Sequence, residues 1–134
     1  MTPVVWDTSA LTAILLDEDE GIAFSRLLAT ARPHLLSAVS WLELSIVMTC
    51  RLGPVGSDRI GALVQAGGIQ VTPFDSEQAR AARSAYEAFG KGRYPAGLNF
   101  GDCASYGLAI RRGADLAYKG DDFARTDIRS ALAR

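Results

Sequence analysis

The chain has 134 residues, 49% of them hydrophobic, with a formal net charge of −1 and two cysteines, Cys50 and Cys103. That length and composition suit one globular domain over residues 1–134 with a single core, and no repeat or low-complexity segment interrupts it. No apolar run approaches the roughly 18 to 20 residues of a membrane span, the start MTPVVWDTSA has no secretory pattern, and the cysteines have neither CxxC nor disulfide-framework spacing, so a cytoplasmic protein with buried free thiols is expected.

In chain order, Pro3 to Trp6 (PVVW) is a short β-rich run ending at Asp7. The following TSALTAILLDEDEG sets Leu11, Ile14 and Leu15 at helical spacing before Gly21, so a strand hands over to a helix at Asp7. A second helical segment, about Ile22 to Ala31, carries Phe24, Leu27 and Leu28 on one side and ends before Pro33; His34 to Ser37 reads as a strand. Ser40, with Glu43 three residues later, has the pattern of a capping box opening a helix to about Leu52, which GPVG stops. Asp58 to Ala66 predicts another helix, GGIQVTPF a strand, and Ser76 to about Phe89 a helix bearing Ala79, Ala82 and Tyr86. GKGRYPAG is the most loop-like stretch. Asn99 is placed to cap a helix from Phe100 to Arg112 that Gly113 ends, and ADLAYKGDDFARTDI supplies a last strand, a turn and a short helical piece. Strands alternating with helices predict one α/β domain whose mainly parallel sheet is covered on both faces. Trp6, Trp41, Phe74 and Phe100 read as core, and His34 as a satisfied strand residue.

Charge is unevenly distributed. The first 20 residues hold five acids (Asp7, Asp17, Glu18, Asp19, Glu20) and no base, which leaves 10 acids against 14 bases in the remainder. Bases recur at Arg80, Arg83, Lys91, Arg93, Arg111, Arg112, Lys119, Arg125 and Arg129; a basic face and a scatter of solvated arginines are both compatible with that spacing. The run Asp17 to Glu20 reads as a solvated helix end.

Other acids fall where chemistry collects. Ligands of open parallel sheets bind at the carboxyl ends of strands, and Asp7 closes the first strand while Asp121 and Asp122 follow the last. Glu43 and Asp102 each lie in the first turn of a helix, where a structural reading also exists: a capping box for Glu43, the helix macrodipole for Asp102. Should these acids converge, their mutual repulsion calls for a cation between them. With His34 among apolar neighbours and no chelating cysteines, an all-oxygen set suits Mg²⁺ or Mn²⁺ rather than zinc. Such an ion serves phosphate chemistry, and since neither GxxxxGK[ST] nor GxGxxG is present, phosphodiester hydrolysis fits better than use of a nucleotide cofactor.

Taken together, VVWDTSAL, SAVSWLEL, LNFGDCASYGLA and LAYKGDDFARTDI, in this order across essentially the whole chain, resemble the PIN-domain family, and within it the VapC-type toxins of type II toxin–antitoxin systems. The resemblance implies a three-layer α/β/α domain and a Mg²⁺-dependent endoribonuclease (Mn²⁺ being the alternative ion) in which water, not a side chain, attacks. Asp7, Glu43 and Asp102 would be the metal-binding acids, joined by one acid of the KGDDF turn; Asp122 is favoured there and Asp121 is the alternative. Ser9 and Asn99 would orient ligands or water from behind. Implied partners are a structured RNA of the tRNA or ribosomal class, a VapB-like antitoxin whose C-terminal segment lies across the acidic groove, and a second copy of the chain. The side of the first helix carrying Leu11, Ile14 and Leu15 offers an antitoxin contact, although core packing also accounts for it.

Rival readings fit less well. A haloacid-dehalogenase phosphatase needs an acid where Ser9 stands, and a phosphorelay receiver needs an acidic pair at the first strand, although Lys119 suits it. A catalytically silent PIN-like binding module and a housekeeping RNA-processing nuclease remain as alternatives within the fold.

Overall fold

The structure, a computed structural model, describes residues 1–90, 92 and 96–132. Four short strands, β1 (Val4–Trp6), β2 (His34–Ser37), β3 (Ile69–Thr72) and β4 (Asp115–Ala117), form one sheet in the order β3-β2-β1-β4, with every pairing parallel. All residues of β1 and β2 are buried, the pattern of interior strands covered on both faces, whereas Gln70 and Val71 of the edge strand β3 are exposed.

The alternation along β1 divides the core. Val4 and Trp6 face a layer built by α1 (Thr8–Leu15), α2 (Gly21–Leu28), α3 (Ala38–Leu52) and α4 (Val55–Gly67), which contribute Leu11, Phe24, Leu44, Met48 and Ile60. Val5 faces the other layer, where α5 (Ser76–Phe89) and α6 (Phe100–Arg112) contribute Ala82, Ala85, Tyr106 and Leu108. This is the expected three-layer α/β/α arrangement. Each large side chain buried this way adds roughly 1.5–3 kcal/mol, which compensates for the brevity of the strands. Inside the first layer the Trp6 indole N–H donates to His34 Nδ1 at 3.0 Å, so the imidazole proton is on Nε2, 3.1 Å from the Thr30 carbonyl it bonds. His34 is thus a satisfied strand residue, as its apolar neighbours implied.

Some local expectations need correction. β2 runs into α3 without a loop, so the N-cap is Ser37, whose Oγ accepts from Val39 N–H at 3.2 Å. Ser40 lies fully buried inside the helix, and Glu43 is therefore no part of a capping box. α4 starts at Val55, three residues before Asp58, directly after Pro54. Trp41 is 42% and Phe100 79% exposed, so neither is core: Trp41 is on the outer side of α3, and Phe100 is the exposed first residue of α6. Cys103 is buried but Cys50 is exposed. Within the loop-like GKGRYPAG stretch, Lys91 and Arg93 to Pro95 lie outside the described residues.

The order of the strands positions the site. From β1 the chain moves outward to β2 and β3, then returns to add β4 on the other side of β1, so the direction of winding reverses between β1 and β4. A crevice opens at the carboxyl ends of two such strands, and Asp7 is the first residue past β1.

Candidate active site

Asp7 is held rigidly at that crevice. Its N–H donates to the Ala117 carbonyl at 2.9 Å, tying it to the end of β4, and as N-cap of α1 its Oδ2 accepts from Ser9 N–H (3.0 Å) and Ser9 Oγ (2.6 Å). Its Oδ1 accepts from Ser105 Oγ at 2.7 Å, and Ser105 Oγ is itself 3.1 Å from Ser40 Oγ. Only 4% of Asp7 is exposed. Burial pushes its carboxyl above the usual carboxylate range, against the opposing pull of the bonds from Ser9 and Ser105.

Glu43 and Asp102 meet the same cavity from two helices. Thr8 Oγ1 donates to Glu43 Oε1 at 2.6 Å, drawing the glutamate from α3 towards the start of α1. The close approach depends on Gly101: a Cβ there would stand 2.6 Å from Glu43 Oε2. Glycine at the second position of α6 is what lets the carboxylate lie against that helix. Asp102 completes a capping box, its N–H donating to Asn99 Oδ1 at 2.9 Å while its own Oδ2 accepts from Asn99 N–H at 3.1 Å. Asp102 thus has a structural role at the helix start, through a reciprocal capping box where the macrodipole was expected, and its carboxyl also lies on the cavity wall. Burial, then the charge of Asp7, then Asp122 and Glu43, raise its pKa to about 7, against the counter-pull of Asn99.

The cavity, about 370 Å³, is lined by Asp7, Thr8, Ser9, Thr12, Glu18, Glu43, Val47, Asn99, Asp102 and Lys119. Of the expected site residues it thus brings together Asp7, Glu43, Asp102, Ser9 and Asn99. Asp121 and Asp122 are exposed and do not line it, but Asp122 precedes the 3-10 turn Phe123–Arg125 and its charge acts on Asp102. Thr8, Gly101 and Ser105 were missed. Their only signals were a glycine beside an acid at a helix start, and a serine one turn after Asp102. Glu18 was read as part of a solvated helix end, yet it lines the cavity and bonds Lys119 Nζ at 2.8 Å.

The hydrogen bonds to Asp7, Glu43 and Asp102 among the described residues come from hydroxyls and backbone N–H groups, not from Lys or Arg. No group of three or more His, Cys, Asp or Glu among the described residues is gathered closely enough to grip an ion directly. Clustered oxygen donors with unbalanced charge fit a hard divalent cation and do not fit zinc.

Residues 4–129 match the family model of the PIN domain. The chain belongs to the PIN-domain family. Ribonuclease VapC28 of Mycobacterium tuberculosis is 47% identical to this PIN domain over 132 residues, covering 98% of the chain and 99% of the relative. Ribonuclease VapC30 of the same species is 42% identical over 125 residues, covering 93% and 95%. Among solved structures, the Mycobacterium tuberculosis VapC20 toxin, described as cleaving the sarcin-ricin loop, superposes with a TM-score of 0.75 at 17% identity, covering 93% of this PIN domain and 95% of that chain. A DNA-bound VapBC complex from Salmonella typhimurium gives 0.71 at 20% identity, covering 97% and 96%. At those identities the superpositions speak for the fold, while the two ribonucleases place this PIN domain among the VapC proteins.

Proposed function

We propose that this PIN domain is the toxin of a type II toxin–antitoxin pair, a cytoplasmic endoribonuclease that hydrolyses RNA phosphodiester bonds with the help of Mg²⁺ or Mn²⁺. The observation that carries the reading is the charge-unbalanced cluster of Asp7, Glu43 and Asp102 at the β1/β4 switch point, supported by the likeness to VapC ribonucleases over nearly the full chain. Asp7 and Asp102 would hold the ion, with Glu43 positioning it or the water and Asp122 adding the fourth negative charge. When bound, a divalent ion of this kind neutralises the phosphate and lowers the pKa of a water molecule. Ser9 and Ser105 donate to the two oxygens of Asp7, Thr8 donates to Glu43, and Asn99 N–H donates to the Asp102 carboxylate, so each carboxylate has a hydrogen bond that orients it.

Partners follow from the same reading. RNA of the tRNA or ribosomal class is the proposed substrate, a VapB-like antitoxin the proposed inhibitor, and a homodimer the proposed assembly. Leu42, Ile46 and Phe100 are all more than 40% exposed around a groove beside Glu43, an apolar strip that a protein partner would cover. No helix among the described residues is long and apolar enough to cross a membrane.

The test is cleavage of total tRNA and ribosomal RNA by the purified protein. Cutting should require Mg²⁺ or Mn²⁺, stop with chelator, and fall about 10³-fold or more in Asp7→Asn. Equal cutting by Asp7→Asn would point to a contaminant, and no cutting by antitoxin-free protein would favour a silent binding module.

A further inference from the structure

We propose that Lys119 binds a phosphate of the RNA chain at this site and that Glu18 holds the lysine back until RNA arrives, an inference that rests on the ribonuclease reading above. The cavity wall carries Asp7, Glu43, Asp102 and Glu18, and Lys119 is the one basic side chain among its described lining residues. A polyanion is repelled by such a wall, and one divalent ion offsets only part of the charge. A positive side chain at the rim supplies what is missing. Lysine, a compact charge on a flexible stem, suits a phosphate that must be gripped and released.

Lys119 is built into the site by its backbone. Its N–H donates to Ser9 Oγ at 3.0 Å, and that hydroxyl donates to Asp7 Oδ2 at 2.6 Å, so two hydrogen bonds join the lysine's main chain to the carboxylate at the switch point. Its Nζ is paired instead with Glu18 at 2.8 Å and Glu20 at 3.7 Å, both from the turn between α1 and α2. The lysine and Glu18 side chains are 36% and 31% exposed. Ion pairs exposed to this degree are weak and screened by salt, so an arriving phosphate can displace Glu18 without a large penalty. The pair therefore acts as a latch, and the two substitutions that break it have opposite consequences.

The experiment is steady-state cleavage of total tRNA and ribosomal RNA in Mg²⁺ by the wild type, Lys119→Met, Lys119→Arg and Glu18→Gln. Lys119→Met should raise the apparent KM about tenfold with kcat within about twofold, and should flatten the dependence of log KM on log salt by about 0.7, the loss of one phosphate contact on a single strand. Glu18→Gln should lower KM about two- to fivefold by leaving only the longer pair with Glu20 on the lysine, and Lys119→Arg, which keeps the positive charge, should keep the wild-type salt dependence. A mere tether between two turns predicts that Glu18→Gln and Lys119→Met shift KM in the same direction; that result, or an unchanged KM in Lys119→Met, overturns the proposal. Should Lys119→Met fail to fold, Lys119→Gln takes its place, with the same expected rise in KM and the same flattening of the salt dependence. A wild type that cuts no RNA removes the ribonuclease reading itself, and this inference with it.

Discussion

Asp102→Asn should make the metal-free protein more stable while abolishing RNA cleavage. The Asp102 carboxyl titrates at about 7, up from 3.8, first because it is buried and then because Asp7, Asp122 and Glu43 repel its charge. With the folded-state value above the unfolded one, protonation favours the fold: the contribution is complete below about pH 4 and is lost as pH rises through about 7. Above that pH the wild type carries a repulsion that the neutral amide removes, while the amide oxygen still accepts from Asn99 N–H. The full shift would correspond to about 4 kcal/mol, but Asp102 is only partly buried, and solvent screening reduces this to on the order of 1–2 kcal/mol. Thermal melts in chelator at pH 8 should therefore place Asp102→Asn roughly 3–8 °C above the wild type, the gap closing towards pH 4. Asp7, raised by burial, contributes with the same sign. Cleavage in Mg²⁺ should fall by about 10³-fold or more. A variant less stable than the wild type at pH 8 would show that the carboxylate's cap outweighs the repulsion it suffers in the cluster.

Gly101→Ala separates activity from stability in a different way. The added Cβ meets the Glu43 carboxylate at 2.6 Å, which is the far end of a flexible side chain and can swing aside. Helix propensity favours alanine by up to about 1 kcal/mol, so the melting temperature should hold or rise. Glu43, however, loses its seat between Thr8 and α6, and a displacement of about 1 Å at a reacting centre costs about 10²-fold. Gly61→Ala on α4, whose Cβ would meet nothing within 4 Å, is the control and should leave cleavage unchanged. Full activity in a folded Gly101→Ala would contradict the proposed role of Glu43.

The strand-helix order and the places of Asp7 just past β1 and Asp102 in the first turn of α6 were legible because they follow from local pattern: PVVW before Asp7, helical spacing after it, and Asn99 three residues before Asp102. What was illegible depends on long-range contacts. Ser105 reaches Asp7 across 98 residues and Lys119 reaches Glu18 across 101, and nothing near either residue announces its partner. Ser40 and Ser37 offer equally good capping side chains, and the choice fell to Ser37 because β2 continues into α3 without a loop. Phe100 and Trp41 look like core by residue type, yet hydrophobicity does not reveal that the first residue of α6 is left exposed or that α3 turns one side outward.

The most direct measurement is Mn²⁺ titration of the purified chain without RNA, read by electron paramagnetic resonance, for the wild type, Asp7→Asn and Asp102→Asn. Saturable binding by the wild type, competed by Mg²⁺ and lost in both variants, is the expected result. Binding that is equal in all three would mean that these carboxylates do not hold the ion and that the cluster at the β1/β4 crevice is not the catalytic centre.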